Sequence, residues 1–220
     1  MNVRQQYNQE LQQLSSELIR MGDTANDAIA RAMEALQTGD RDLARRVMNG
    51  DEQINNMERD IEQRCLRLLL KQQPVAGDLR KISTAIKMIT DIERIGDAAA
   101  DIAEITLHRN ISASDELMDR VLSMADDARA MVSNAIRSYV EEDLELAMAT
   151  RKQDDVVDAD FEHIRDRLAQ AMVSSEQDLN ELIDYLMIIK YLERVGDHAV
   201  NICEWVEFYM TGVYKNEQLV

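Results

Sequence analysis

The run Glu93-Arg94-Ile95-Gly96-Asp97 returns as Glu193-Arg194-Val195-Gly196-Asp197, displaced by 100 positions, and in each copy a polar residue follows four places later, Asp101 or Asn201. Agreement continues through Ala99/Ala199, Ile102/Ile202 and Glu104/Glu204. Upstream the displacement is 103: Met21, Asp23, Ala25 and Ala32 answer Met124, Asp126, Ala128 and Ala135, while Asp40, Leu43 and Ala44 answer Asp143, Leu146 and Ala147. Asp51 and Ile54 answer Asp154 and Val157 in the same way. A tandem duplication restricts the fold to two copies of one supersecondary unit. The change of displacement requires a three-residue difference between Ile61 and Asp78, where Gln72-Gln73-Pro74-Val75-Ala76-Gly77 stands against Ser174-Ser175-Glu176-Gln177; such a difference belongs in a loop.

The 220 residues divide into units 1–110 and 111–220, each of ordinary domain size. One proline, seven glycines, 13 methionines and few aromatics make a helix-rich composition, with almost nothing that reads as a β-hairpin. The predicted class is all-α. In the first unit the apolar period runs over about 5–37, 41–71 and 78–109, and in the second over about 114–140, 143–173 and 178–210. Thr38-Gly39-Asp40 breaks the first helix, Pro74 with Gly77 closes the second, and Asp40 and Asp78 are the expected caps of the helices that follow. Breaks of a few residues imply antiparallel neighbours, so each unit is predicted to be an up-down-up three-helix bundle.

A formal net charge of −17 repels phosphate backbones and anionic lipid, which argues against nucleic acid and direct membrane binding and favours basic surfaces or cations as partners. The opening Met1-Asn2-Val3-Arg4-Gln5-Gln6 has no apolar signal core, and no run approaches the ~20 apolar residues of a membrane span, so the expected location is the cytoplasm. Cys65 and Cys203 lack metal-type spacing and lie in apolar helical stretches of different copies; buried reduced thiols are expected.

Four residues along a helix rotate it by only ~40° and advance it by ~6 Å, so Glu93, Asp97 and Asp101 form a row along one face. In projection Glu93 falls among Ile82, Ile86 and Ile89, inside the apolar stripe, and Glu193 falls among Leu182, Leu186 and Ile189. A carboxylate there is costly unless it is paired, protonated or bound to a cation, and further acids at i+4 add repulsion. Arg94 and Arg194 are rotated ~100° from the preceding Glu and would have to reach round the helix, so a hard cation satisfies the row more simply. The second helix of each unit offers Asp51 with Asn55, and Asp154 with Asp158, at the same spacing. An all-oxygen donor set favours Mg, Mn, Fe or Ca over structural zinc.

Taken singly, these features have plain structural readings. An acidic i, i+4 pair is normally a solvated helix face; duplication and stripe position set these rows apart. Gly96 and Gly196 read as small residues that allow close helix approach, His108 and His163 as surface residues, and Met21, Met33, Met88 and Met187 as core fillers. Trp205, Phe208 and Tyr209 read as helix-packing residues before a partner patch.

With Asp91-Ile92-Glu93-Arg94-Ile95-Gly96-Asp97 and Leu192-Glu193-Arg194-Val195-Gly196-Asp197-His198-Ala199-Val200-Asn201-Ile202 in view, the chain resembles the PhoU family of phosphate-transport regulators over nearly its whole length. Gln73-Pro74, Asp78-Leu79-Arg80 and Met21-Gly22 add to the likeness. The resemblance implies a non-enzymatic cytoplasmic regulator that couples the phosphate ABC transporter, through its ATPase, to a phosphate-sensing histidine kinase and restrains uptake and starvation-gene expression. It would reach the membrane only through protein partners. The resemblance further implies a homodimer, and metal ions or clusters at Glu93, Asp97, Asp101, Glu193, Asp197 and Asn201 with Asp51, Asn55, Asp154 and Asp158. Asp101 stands where the family often has Asn, which makes the two sites unequal in charge, and Asn180 replaces the arginine that Arg80 keeps.

Two other classes remain open at this point. A carboxylate-bridged metalloenzyme or metal-storage bundle would use Glu-x-x-His pairs, and no glutamate here has a histidine three places later. A purely structural bundle would pair the carboxylates with arginines.

Overall fold

Six helices carry almost all of the described chain: α1 (Val3–Thr38), α2 (Arg41–Lys71), α3 (Ala76–His108), α4 (Asp115–Glu141), α5 (Leu144–Ser174) and α6 (Leu179–Thr211). The computed structural model describes residues 3–71, 75–108, 115–174, 178–215 and 217–218. Most of the segment assigned to the three-residue length difference, residues 72–74 and 175–177, therefore lies outside the described residues. Helix ends fall within about three residues of those read from the apolar period, a spread normal for helix boundaries.

The helix ends follow local chemistry. Gly39 leaves α1 at φ +66° and Gly212 leaves α6 at φ +78°, a left-handed turn that glycine enters without a Cβ clash. At the position equivalent to Gly39 stands Glu142, at φ 56°. Tyr209 Oη donates to its carboxylate at 2.6 Å and Lys81 Nζ at 2.9 Å, which fixes the turn and holds the Glu142 carboxyl below the usual range. Asp40 caps α2 by accepting from the backbone N–H of Asp42 and Leu43, both at 2.9 Å, and Asp143 caps α5 through Leu146. Asp178 caps α6.

Asp78 departs from expectation. Helix α3 starts at Ala76, so Gly77 and Asp78 lie inside its first turn, and the Asp78 carboxylate pairs with Arg4 Nη1 of α1 at 2.8 Å instead of capping. The carbonyl of Val75 already accepts from Leu79, which shifts the start upstream.

Helices α1, α2 and α3 pack on one another, as do α4, α5 and α6; α3 against α6 and α1 against α4 join the two bundles. At the α1–α4 contact Asn26 Nδ2 donates to the Arg129 carbonyl at 3.3 Å and to Ser133 Oγ at 2.8 Å, while Arg129 Nε donates to the Asn26 carbonyl at 3.3 Å. Asn26 and Arg129 are repeat equivalents, so an approximate twofold axis passes between them. A Cβ at Gly22 would lie 2.0 Å from Ile136 Cδ1, so glycine is what lets α1 and α4 approach here.

Helices α3 and α6 run antiparallel: Arg80 Nε donates to the Tyr209 carbonyl at 3.1 Å and Thr84 Oγ1 to the Trp205 carbonyl at 3.2 Å. Each is covered on three sides, α3 by α1, α2 and α6, and α6 by α3, α4 and α5. The two Glu-Arg-x-Gly-Asp copies therefore sit on the two innermost helices. Buried Ile82, Ile89, Ile92 and Ile95 of α3 and Leu182, Ile189, Leu192 and Val195 of α6 form the matching halves of the core.

Cys65 and Cys203 are free and buried, and burial pushes both thiols up to about 12. His108 and His163 are exposed. Met21, Met33 and Met88 fill the core, but Met187 is 41% exposed: it takes the position of exposed Lys87 in the first copy, on the outer face of its helix. A short antiparallel ladder of β1 (Val213–Tyr214) and β2 (Glu217–Gln218) follows α6, a feature the composition did not signal. Trp205 stacks on Tyr214 with ring centroids 4.0 Å apart and meets Phe208 edge-on at 5.9 Å, a packing role within its own chain.

Candidate functional site

In the first bundle α2 lies along α3, which brings Asp51 within electrostatic reach of Glu93 and Asp97 and sets Glu58 beside them. Burial raises the Asp51 carboxyl, and the Asp97 charge raises it further, against a 2.8 Å hydrogen bond from Asn55 Nδ2. Burial also raises Glu93, with Asp97 next in weight. Asp51 Oδ1 and Asn55 Oδ1 are buried and have no hydrogen-bond partner among the described residues. Arg94 does reach round the helix: its Nη1 donates to Asp97 Oδ2 at 2.8 Å and its Nε lies 3.4 Å from Glu93 Oε2. The row is thus partly neutralised from the solvent side by a half-exposed guanidinium, which the projection had treated as the less simple solution.

The second bundle places Asp154 and Asp158 of α5 against Glu193 and Asp197 of α6. Asp154 is the most perturbed carboxyl of the site: burial first, then Asp158, Asp197 and Glu193, push it up to about 6. Burial and then Glu193 raise both Asp158 and Asp197. The nearby cation is Lys190, whose Nζ donates to Glu193 Oε2 at 2.5 Å. The Asp154 carboxylate approaches α6 at Gly196, where an added Cβ would come 3.0 Å from its Oδ1.

Asp101 and Asn201 leave the rows. Asp101 faces Tyr191 and lies near Arg194, both on α6, and these two offset part of the rise that burial gives its carboxyl. Asn201 Nδ2 donates to Asp91 Oδ1 of α3 at 3.3 Å, and His198 Nδ1 lies 2.9 Å from the same oxygen. The pairs 101 with 191 and 201 with 91 are the same contact seen twice through the repeat. The third polar residue of each motif thus belongs to the seam between bundles. Tyr191 was not singled out from sequence, and Asp91 and His198 stood there only as members of the two motifs with no role of their own, because their partners are set by the antiparallel meeting of the two copies. The asymmetry of Ala98 against His198 was the available signal.

Chemically, each bundle presents hard oxygen donors from two helices, with repulsion only partly relieved. Among the described residues no three His, Cys, Asp or Glu side chains converge closely enough, as placed, to hold a metal ion. The orphaned oxygens of Asp51 and Asn55 and the raised Asp154 are nevertheless acceptors that would gain from a cation.

The two motif glycines are expected to respond oppositely to alanine. At position 96 the new Cβ would stand 2.7 Å from Ile54 Cδ1 and 3.2 Å from its Cγ2, so overpacking outweighs the gain in helix propensity and Gly96→Ala costs about 1 kcal/mol. At position 196 the main obstacle is the far end of the Asp154 side chain, at 3.0 Å, which needs to give by only a few tenths of an ångström, and Gly196→Ala stabilises by up to about 1 kcal/mol. Urea titration of both variants decides this; shifts of the same sign would show that the two helix contacts are alike.

Comparison with known proteins places this architecture. The PhoU domain family model matches residues 18–106 and again 121–206. The chain is 36% identical over 211 residues to a phosphate-specific transport system accessory protein PhoU homolog of Clostridium acetobutylicum, covering 96% of each. It is 30% identical over 207 residues to the accessory protein PhoU of Escherichia coli, covering 94% of this chain and 86% of that one. Among solved structures, that of PhoU from Pseudomonas aeruginosa superposes with a TM-score of 0.88 at 32% identity, covering 94% of this chain and 100% of that one. That of the phosphate transport system regulatory protein PhoU from Streptococcus pneumoniae gives 0.87 at 25% identity, covering 94% and 98%.

Proposed function

The chain belongs to the PhoU family, and on that premise we propose that it is a negative regulator that couples the high-affinity phosphate ABC transporter to a phosphate-sensing histidine kinase, with no catalysis of its own. The observation that carries the reading is the full-length match: both motif copies, both bundles and the seam between them fall inside the matched chain. A role in regulating phosphate transport follows from family membership; the direction of control and the two partners are the proposal. Among the described residues no helix is long and apolar enough to cross a membrane, so in this reading the protein meets the transporter through its ATPase, from the cytoplasm. Deleting the gene should raise alkaline phosphatase expression in phosphate-rich medium. Affinity capture of the tagged protein should recover the transporter ATPase or the kinase in one phosphate state and lose it in the other. Unchanged expression together with state-independent capture would sink the regulatory reading.

The acidic rows fit divalent cations in this proposal. Asp51, Asn55, Glu93 and Asp97 would hold one group, and Asp154, Asp158, Glu193 and Asp197 the other, with Arg94 and Lys190 turned away. Asp101 and Asn201 position the rows from the seam. A bound cation would supply charge neutralisation and link α2 to α3 and α5 to α6. Saturating Mg or Mn at a hundred times its dissociation constant should stabilise the chelator-treated protein by about 2.7 kcal/mol for each group that binds a cation. Glu93→Gln with Glu193→Gln should remove most of that gain; an equal gain in the double variant would place the ions elsewhere.

A further inference from the structure

Anions outnumber cations 42 to 25 in this chain, and many of its arginines are neutralised locally, as in Arg64 with Glu17, Arg94 with Asp97 and Arg151 with Glu207. Arg20 and Arg46 are different. Both are exposed, and neither guanidinium has a hydrogen bond or ion pair among the described residues. They line one open groove of about 410 Å³ between α1 and α2, together with Arg31, which Asp27 holds at 2.9 Å. Gly50 forms part of the floor, and a Cβ there would meet nothing within 4 Å, so this glycine serves no helix contact and leaves the groove open. Past Arg20 and Gln53 the groove continues along α2, where Asn49, Gln53 and Asn56 present amides at successive turns.

The repeat supplies a control. Arg20, Arg31, Arg46 and Gly50 correspond to Ser123, Asn134, Ala149 and Gln153, so these cations and this glycine occur in one copy although the core is shared by both. Packing does not require them.

We propose that this groove docks an acidic segment of a partner protein, with one or two of its carboxylates on Arg20 and Arg46 and its backbone on the amides of α2. Guanidinium groups pair with carboxylates through two parallel hydrogen bonds, a geometry that two unoccupied arginines on adjacent helices offer. An elongated open groove suits a chain segment better than a small ion. On α2 its lining begins at Arg46, beyond the first four residues whose N–H groups are free, and on α1 it lies well past the start, so no helix N-terminus brings backbone N–H groups to replace the water of a free phosphate. Asp23 and Asp27 also line it, Glu52 and Asp60 line its continuation, and these carboxylates limit the occupant to the one or two charges that Arg20 and Arg46 can take, while the −17 field repels polyanions. The inference is independent of the regulatory reading and of cation uptake by the acidic rows.

Fluorescence anisotropy tests it with the full chain and a short labelled peptide carrying Glu-Ala-Glu in a Gly/Ser background, at low salt. Arg20→Gln with Arg46→Gln should weaken binding roughly tenfold or more, as should Gln-Ala-Gln in the peptide, and added salt should weaken it progressively. Gly50→Leu should weaken it by closing the groove, whereas Arg167→Gln in the second bundle should leave it unchanged. Melting curves of the arginine variants should match the parent, since both side chains are exposed and unpaired. Absence of binding at low salt, or equal binding by the double variant or by the Gln peptide, overturns the proposal. Full displacement of the peptide by inorganic phosphate at equal concentration also overturns it, because a free oxyanion would then be the occupant.

Discussion

Asp154→Asn is expected to stabilise the chelator-treated protein by about 1–2 kcal/mol near neutral pH, raising the melting temperature of a chain this size by roughly 3–6 °C. The reason is the position of the carboxyl. Asp154 lies against Gly196 between Glu193 and Asp197, with Asp158 one turn away, and burial with these neighbours raises it to about 6. The folded state therefore binds the proton more tightly than the unfolded chain, whose aspartates titrate at about 3.9. Protonation favours folding. The parent should gain stability as pH falls from about 7 through 6, with the gain complete only below the unfolded value, and Asp51, Glu93, Asp158 and Asp197, all raised, act in the same direction. Asp154→Asn removes the largest part of this slope. Differential scanning calorimetry at a series of pH values between about 7.5 and 5 measures both effects. Destabilisation by Asp154→Asn at neutral pH would mean that its charge is used within the fold, and the view of the rows as sites kept at the expense of stability would fail.

How far the sequence disclosed this molecule can be argued residue by residue. Helix number and ends were legible because the period of 3.6 and the short breaks at Gly39 and Glu142 are local properties. Asp40 capped its helix as its spacing indicated, but Asp78 did not, because its carboxylate is claimed by Arg4, 74 positions away, and a tertiary partner outcompetes the cap. Met187 misled for a related reason: helical spacing does not reveal which flank of a stripe faces solvent. The acidic rows were legible because a carboxylate within an apolar stripe contradicts the pattern around it, and α2 and α5 do bring Asp51 and Asp154 to them. The fate of Asp101 and Asn201 was hidden, since it depends on α3 and α6 meeting antiparallel, a relation between the copies that neither copy encodes by itself.

That seam should be where single substitutions do most harm to the architecture. Asp91→Ala is expected to cost about 2–4 kcal/mol, because it leaves both His198 Nδ1 and the Asn201 amide without their acceptor at a half-buried site. Each orphaned group carries a desolvation penalty of roughly 1–3 kcal/mol that water entering between the bundles offsets only in part. Asp91→Asn keeps one acceptor oxygen and should recover a good part of the loss. Trp205 is the chain's single tryptophan and sits on the same seam, its carbonyl bonded to Thr84 and Lys87 Nζ 5.7 Å above its ring, so its fluorescence reports separation of the bundles while circular dichroism reports the helices. In the parent the two signals should melt together; in Asp91→Ala the tryptophan transition should come first. A loss below about 0.5 kcal/mol with coincident transitions would show that apolar packing of α3 on α6 holds the bundles together and that the polar pairs merely decorate it.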